Sequence, residues 1–189
     1  MSAVRDERTA AVPVITNKQR KAIGEFFDHT RDTAQQNFEG HGAYVPVALF
    51  LRDEETGVLP LGKLINHKDL ASAFLNKVIE ASHPLAFAFV TEAWMASAYE
   101  LPKNRDGTLA DIEKKYHGNL ADADRKPKAG VKEAVMLQRS SVAGENFMLT
   151  AGIVRAEGSK PALKPWERMG NTRAEGRFIF DVTPLSERQ

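Results

Sequence analysis

The chain has 189 residues, and its 26 basic and 25 acidic side chains leave a formal net charge of +1. Hydrophobic residues make up 42% and charged residues 27% of the sequence, proportions that are typical of a globular domain. The absence of cysteine excludes disulfide scaffolds, thiolate catalysis and the usual cysteine-ligated zinc sites. Since nucleic-acid binders usually carry a basic surplus or stripe, the balanced charge also makes nucleic acid an unlikely partner.

The length predicts one domain with a proper core. Residues 1–14 mix both charge signs without a long apolar run, so we expect a flexible arm and not a signal peptide. No window approaches the ~18 apolar residues that indicate a membrane span. A cytoplasmic protein without membrane contact is therefore expected, with residues 15–189 as its single folded unit.

The first helix is predicted from its start and stop signals. Thr16 can cap it, and Gln19 follows three positions later, as in a capping box. The glycines of "GHG" at 40–42 end it, because glycine tolerates the left-handed cap conformation. Helical spacing predicts one buried stripe, made of Ile23, Phe26, Phe27, Thr30, Ala34 and Phe38.

A β-hairpin is predicted next, from "AYVPVALFLRD" (43–53) and "VLPLGKLI" (58–65). The intervening "EETG" predicts the turn, with Gly57 available for a positive φ. Pro46 and Pro60 each remove a ladder donor, which predicts that one of the two strands lies at a sheet edge.

A second helix is predicted to open at Asn66, with Asp69 in its first turn. It ends at "SHP", because Pro84 disfavours a helical residue before it. Its predicted apolar face consists of Leu70, Ala71, Phe74, Leu75, Val78 and Ile79.

The rest of the chain predicts strands around one long polar insertion at 102–130. Residues 85–96 form a strand, 133–141 and 146–155 a second hairpin around "VAGE", and 177–182 a last strand. The predicted fold class is α+β: a single domain with an antiparallel or mixed sheet of five to six strands and two main helices packed on it. Both helices are expected largely on one face of the sheet, and the main alternative places one helix on each face.

The two faces of the strand at 85–96 differ. One face carries large apolar residues, including Phe87 and Phe89, and is predicted to be core. The other begins with small residues, as expected where a helix lies close, and ends in Glu92 and Trp94. A carboxylate beside an indole on a sheet surface can bind a ligand. The same carboxylate can instead pair with Arg139 or Arg155 on a neighbouring strand, which would leave Trp94 as a half-buried cover.

Other candidate residues are less clearly placed by the sequence. His83 and Arg139 would join Glu92 in a site if the protein is an enzyme acting on esters or nucleotides. Trp166, in a proline-bearing loop, is predicted either to contact a partner or to lie on the core as a lid. A nucleic-acid binder would use the basic start of the first helix, at Lys18, Arg20 and Lys21.

Motifs for phosphate loops, nucleophile elbows and histidine-based metal sites do not occur, so no metal or cofactor is expected. The run "FVTEAWM" and the later hairpin "EAVMLQRSS…ENFMLTAGIVR" resemble small bacterial and phage proteins of unknown function, over roughly residues 43–155. This resemblance implies a bacterial or phage setting and no particular activity. We therefore expect a non-enzymatic binding or accessory protein whose partner is another protein or a small ligand. An enzyme and a nucleic-acid binder are the alternatives.

Overall fold

The computed structural model of the protein describes residues 14–53, 55–96, 131–169 and 180–183, except for the side chains of residues 94–96, 131 and 132. The elements in chain order are α1 (Asn17–His41), β1 (Val47–Arg52), β2 (Glu55–Pro60), a 3₁₀ helix (Gly62–Asn66), α2 (Lys68–Ser82), β3 (Ala86–Ala96), β4 (Val131–Ser141), β5 (Asn146–Val154), β6 (Ala162–Leu163) and β7 (Glu167–Arg168). The predicted insertion at 102–130 and all of the predicted arm except Val14 lie outside the described residues.

One curled sheet holds the described strands together in the order β2-β1-β3-β4-β5-β6, and β7 also pairs with β5. Every pairing is antiparallel, so the predicted α+β class is confirmed and the sheet is not mixed. The described part of the sheet contains seven strands, more than the predicted five to six. The additional strands β6 and β7 have two residues each, too short for an alternating pattern to reveal them.

Helix α1 begins and ends where its sequence signals predict. Thr16 Oγ1 accepts the Gln19 N–H at 3.2 Å, and Gln19 Oε1 accepts the Thr16 N–H at 2.9 Å, which completes the capping box. Gly42 ends the helix with a φ of 73°, a conformation that glycine adopts without strain. All six residues of the predicted stripe are buried. This stripe fixes which side of the helix lies on the sheet.

The first hairpin turns two residues earlier than predicted. Arg52 pairs with Glu55, and the positive φ of 49° belongs to Asp53. Gly57 lies inside β2 opposite Phe50, and its φ is not positive. The prediction failed because β2 is an almost fully exposed strand, so its first residues need not be apolar. The predicted strand 58–65 was also too long, since a 3₁₀ helix begins at Gly62.

Two prolines explain how this hairpin ends. The Leu61 N–H donates to the Pro46 carbonyl at 2.9 Å, but Pro46 has no N–H to return, and the Leu61 carbonyl instead accepts the Leu64 N–H at 2.9 Å. That bond starts the 3₁₀ helix. Because backbone groups alternate sides along a strand, the missing donor of Pro60 faces away from β1, where β2 is the sheet edge. The predicted edge position is confirmed.

Helix α2 covers less of the core than predicted. It begins at Lys68, after a His67 cap without a side-chain hydrogen bond, and not at Asn66. Its buried residues Ala71, Leu75 and Ile79 follow one narrow i, i+4 row. Leu70 and Phe74 were predicted to be core but are 60% and 42% exposed. The apolar pattern predicts a wide buried face on α2. It does not show which half of that face packs against the rest of the protein.

The centre of the core is β3, whose residues from Ala86 to Val90 are buried on both faces. Helix α1 packs over its small-residue face, as the predicted close approach requires. On the opposite face, the rings of Phe87 and Phe89 meet the Phe180 ring edge-on, with centroids 5.2 and 5.6 Å apart. Two different surfaces therefore flank the same strand, one facing α1 and one facing the C-terminal segment.

The described part of the predicted last strand, residues 180–182, is not a strand. The alternation was correct, since Phe180 and Val182 are buried and Asp181 is exposed. The segment is held on the sheet by side chains of β4: Gln138 Nε2 donates to the Phe180 carbonyl, and Ser140 Oγ accepts the Val182 N–H, both at 2.8 Å. These side-chain bonds take the place of the expected backbone ladder.

Candidate functional site

The face of the sheet under α1 carries the charged candidate residues in two groups. Arg139 of β4 pairs with Ala88 of β3, and Glu92 lies four positions further along β3. At about 3.4 Å per residue, the two groups are roughly 14 Å apart along the strands. We call them the Arg139 end and the Glu92 end of this face.

At the Glu92 end, the charged groups bind the loop that follows α1. Glu92 Oε1 accepts the Tyr44 N–H at 2.5 Å. Arg155 donates from Nε and Nη2 to the two carboxylate oxygens of Glu133, each at 2.8 Å, and from Nη1 to the Gly42 carbonyl at 3.3 Å. The Glu92 end is thus a set of bonds that ties the end of α1 to β3, β4 and β5.

Glu92 does not form the predicted direct pair with an arginine: it accepts the Tyr44 N–H, and Arg155 pairs with Glu133. Arg155 bonds directly to Glu133, and this hydrogen bond is the main reason that the pKa of Arg155 is raised, with a smaller contribution from the charge of Glu92. Trp94 pairs with Glu133 through the β3–β4 register. The Trp94 side chain lies outside the described residues, so its role in binding stays a prediction.

At the Arg139 end, aromatic rings surround the guanidinium. Its central carbon lies 4.3 Å from the centroid of the Phe27 ring on α1 and 5.2 Å from that of the Phe147 ring on β5. Arg168 approaches the same Phe147 ring, at 4.3 Å. Two arginines therefore share one aromatic ring, an arrangement that cation–π attraction stabilises by about 0.5–2 kcal/mol per contact.

The charge of Arg139 is poorly compensated by the protein. Its side chain is only 12% exposed, and the nearest carboxylate among the described residues, that of Asp28, lies 4.0 Å away, beyond hydrogen-bonding distance. Nε is buried without an acceptor. Burial lowers the pKa of Arg139, with a further lowering by Arg31, against the raising effect of Asp28 and Glu145. An arginine that keeps its charge here gains from any anion that reaches its terminal nitrogens.

Arg168 extends this positive group to the surface. It pairs with Leu149 in the β5–β7 register, which places it on the same face as Phe147 two positions earlier in β5. Arg168 is exposed, and among the described residues no carboxylate lies within ion-pair distance of it. Each of these guanidinium groups can bind oxygens of a carboxylate or a phosphate in a bidentate manner.

The two remaining predicted candidates are His83 and Trp166. His83 ends α2 in the left-handed region, with a φ of 45°, and its charge adds to the lowering of the Glu80 pKa that the hydrogen bond from Lys77 mainly causes. Trp166 is half-buried against the core, as its predicted lid position requires, and its Nε1 is buried without a partner.

Sequence reasoning found Arg139 but missed its neighbours Phe27, Phe147, Asp28 and Arg168 as parts of one site. Arg139 and Phe147 are cross-strand partners, so the predicted second hairpin could already have indicated that these two residues lie side by side. Arg168 could not be found in this way, because the short strand β7 leaves no pattern in the sequence.

In the described part of the chain, no group of three or more histidine or acidic side chains is arranged to hold a metal ion. Its helices also include none that is both long and apolar enough to cross a membrane. No protein-family model matches the sequence, and no curated protein or solved structure is significantly similar to it.

Proposed function

We propose that this protein is a non-enzymatic binding protein that captures an anionic group, a carboxylate or a phosphate, at the Arg139 end of the sheet. The anion site consists of Arg139, Phe147 and Arg168. The observation that carries the proposal is the Arg139 guanidinium, which is nearly buried and makes no hydrogen bond to any residue in the described ranges. The expected bacterial or phage setting and cytoplasmic location belong to the same proposal.

The Arg139 side chain is largely buried, and its charge has no hydrogen-bond acceptor among the described residues. A buried charge without a hydrogen-bond partner is costly, and proteins normally pair such groups. Here the Phe27 ring covers the guanidinium of Arg139, and the exposed Arg168 holds a second guanidinium above the same Phe147 ring. An anion that reaches the terminal nitrogens of Arg139 supplies hydrogen-bond acceptors to its guanidinium, and Arg168 adds a second positive charge. Each charge-assisted hydrogen bond contributes about 1.5–3 kcal/mol.

The test is a titration with inorganic phosphate and, separately, with succinate, at constant ionic strength and followed by NMR. The backbone and arginine N–H signals of β4, β5 and β7 are expected to shift. Arg168→Met is expected to weaken binding by about tenfold to a hundredfold, the equivalent of about one lost charge-assisted bond. Arg52→Met removes an exposed arginine at the far side of the sheet and is the matched control.

The comparison of the variants decides the outcome. If the NMR shifts are equal in the wild type, Arg168→Met and Arg52→Met, they report only general electrostatic screening. That result would contradict the proposal. Preference for phosphate over succinate, or the reverse, identifies which anionic group the site takes. Because Arg168 is exposed, its replacement tests the site with little risk to the fold.

The two alternatives have different signatures. An enzyme would turn over nucleotides or generic ester and phosphoester substrates, and we expect no turnover. A nucleic-acid binder would hold duplex DNA with an affinity that falls steeply with salt. Binding of small anions without either behaviour is the result that the proposal requires. Glu92, Trp94, His83 and Trp166 stay as predicted contact residues for a larger ligand or a protein partner.

A further inference from the structure

We infer that Asp28 is an internal competitor for the anion site, and that an anionic ligand displaces its carboxylate from Arg139. This inference rests on the proposed function. Asp28 follows Phe27 on α1 and places one oxygen, Oδ1, between two guanidiniums. That oxygen lies 4.0 Å from Nη2 of Arg139 and 3.3 Å from Nη1 of Arg31.

The Asp28 carboxylate is held only weakly beside Arg139. Its side chain is 62% exposed, whereas that of Arg139 is 12% exposed. At 4.0 Å the contact with Arg139 is electrostatic attraction without a hydrogen bond. A rotation of the Asp28 side chain into solvent opens the terminal nitrogens of Arg139 without any movement of α1.

Displacement leaves no other group unpaired. Arg31 also binds Asp32, with Nη2 2.9 Å and Nε 3.0 Å from the same carboxylate oxygen. When Asp28 moves away, Arg31 keeps these two contacts. Moving the Asp28 carboxylate away from Arg139 therefore costs only solvent-screened attractions to Arg139 and to Nη1 of Arg31.

Asp28 acts on Arg139 in a way that Asp32 does not. The carboxylates that influence the Arg139 charge are those of Asp28 and Glu145, while Asp32 lies one turn further along α1. Asp32 is 58% exposed, nearly as much as Asp28. The two aspartates carry the same charge on the same helix, so Asp32 is a matched control for net charge and for position on α1.

The experiment is the same phosphate titration, carried out on the wild type and on Asp28→Asn, Asp32→Asn and Asp28→Glu. The asparagine variant removes the competing charge while it keeps the side-chain shape, so phosphate binding is expected to tighten about threefold to fivefold, the range of a screened ion pair. Asp32→Asn is expected to change binding less than twofold. Asp28→Glu keeps a competing carboxylate and is expected to behave as the wild type.

The outcomes separate the two proposals. If phosphate binds the wild type and Arg168→Met weakens it, but Asp28→Asn binds no more tightly than Asp32→Asn, the anion site stands and the competitor role of Asp28 is overturned. If neither phosphate nor succinate binds any variant, the proposed function itself fails, and the competitor role falls with it. Circular dichroism spectra that match the wild type confirm that each variant keeps α1.

Discussion

Arg139 lies on β4 and Arg155 directly follows the neighbouring strand β5, yet the protein treats the charges of these two arginines in opposite ways. Arg155 has a carboxylate fork and a helix-end carbonyl at hydrogen-bond distance. Arg139 has two aromatic rings and a carboxylate at 4.0 Å. The raised pKa of Arg155 and the lowered pKa of Arg139 follow from this difference, because hydrogen bonding dominates at the first and burial at the second.

The difference helps to tell a structural arginine from a recognition arginine. A guanidinium whose donors are used within the chain holds the fold, and an incoming anion has little to offer it. A guanidinium that is buried among rings without acceptors is costly to the isolated protein and gains most from a ligand. This contrast can be tested at each end of the sheet face.

The largest effect is expected from Phe27→Ala, which removes the ring that covers the Arg139 guanidinium. Phe27 is 1% exposed, and its truncation leaves a cavity between α1 and the sheet. Replacement of a buried phenylalanine by alanine costs about 3–5 kcal/mol of the free energy of unfolding. Chemical denaturation measures this loss.

Phe74→Ala serves as the control for Phe27→Ala. Phe74 is 42% exposed on α2, and its truncation is expected to cost less than about 1 kcal/mol. A loss from Phe27→Ala as small as that from Phe74→Ala would contradict the packing of α1 on the Arg139 end.

A smaller effect is expected at the other end, from a double-mutant cycle of Arg155→Met and Glu133→Gln. The Arg155 side chain is 45% exposed, so water screens the pair despite its two short bonds. We expect a coupling energy of about 0.5–1 kcal/mol in the free energy of unfolding and no change in phosphate binding. A large loss of phosphate binding in Arg155→Met would show that both ends of the face recognise the anion and would break the contrast between the two arginines.

The fold was predictable where local physical rules act without competition. Thr16 and Gln19 form the capping box that their spacing predicts, and β3 spans residues 86–96, nearly as the Phe/Ala alternation indicates. The errors fall where tertiary structure decides between equivalent patterns. Nothing in the sequence distinguishes the exposed Phe74 from the buried Leu75 on α2.

The candidate site was predictable only in part, and for a physical reason. The sequence shows which residue types are present on a strand, but it does not show which of them the fold already uses. Glu92 was predicted as a site because its carboxylate lies beside Trp94 on the second face of a core strand, but the fold uses this carboxylate to bind the Tyr44 N–H. Arg139 is exceptional because of its surroundings, since Phe27 comes from a distant helix and Arg168 from a two-residue strand.

The smallest predicted effect concerns alkaline pH at the Glu92 end. Burial raises the pKa of Tyr44 above its ordinary value of 10.0, so the folded state favours the neutral phenol more than the unfolded state does. The resulting stabilisation is complete below pH 10 and is lost as the pH rises from there through the raised pKa of the folded state. Tyr44→Phe cannot ionise, so between the wild type and this variant the difference in free energy of unfolding is expected to be constant up to pH 10. Above pH 10 the wild type is expected to lose stability relative to the variant.

Urea denaturation from pH 8 to pH 11 measures the difference, and parallel curves over the whole range would contradict the burial of the Tyr44 phenol. Arg139→Lys should leave this alkaline difference intact, because its charge lies at the opposite end of the face.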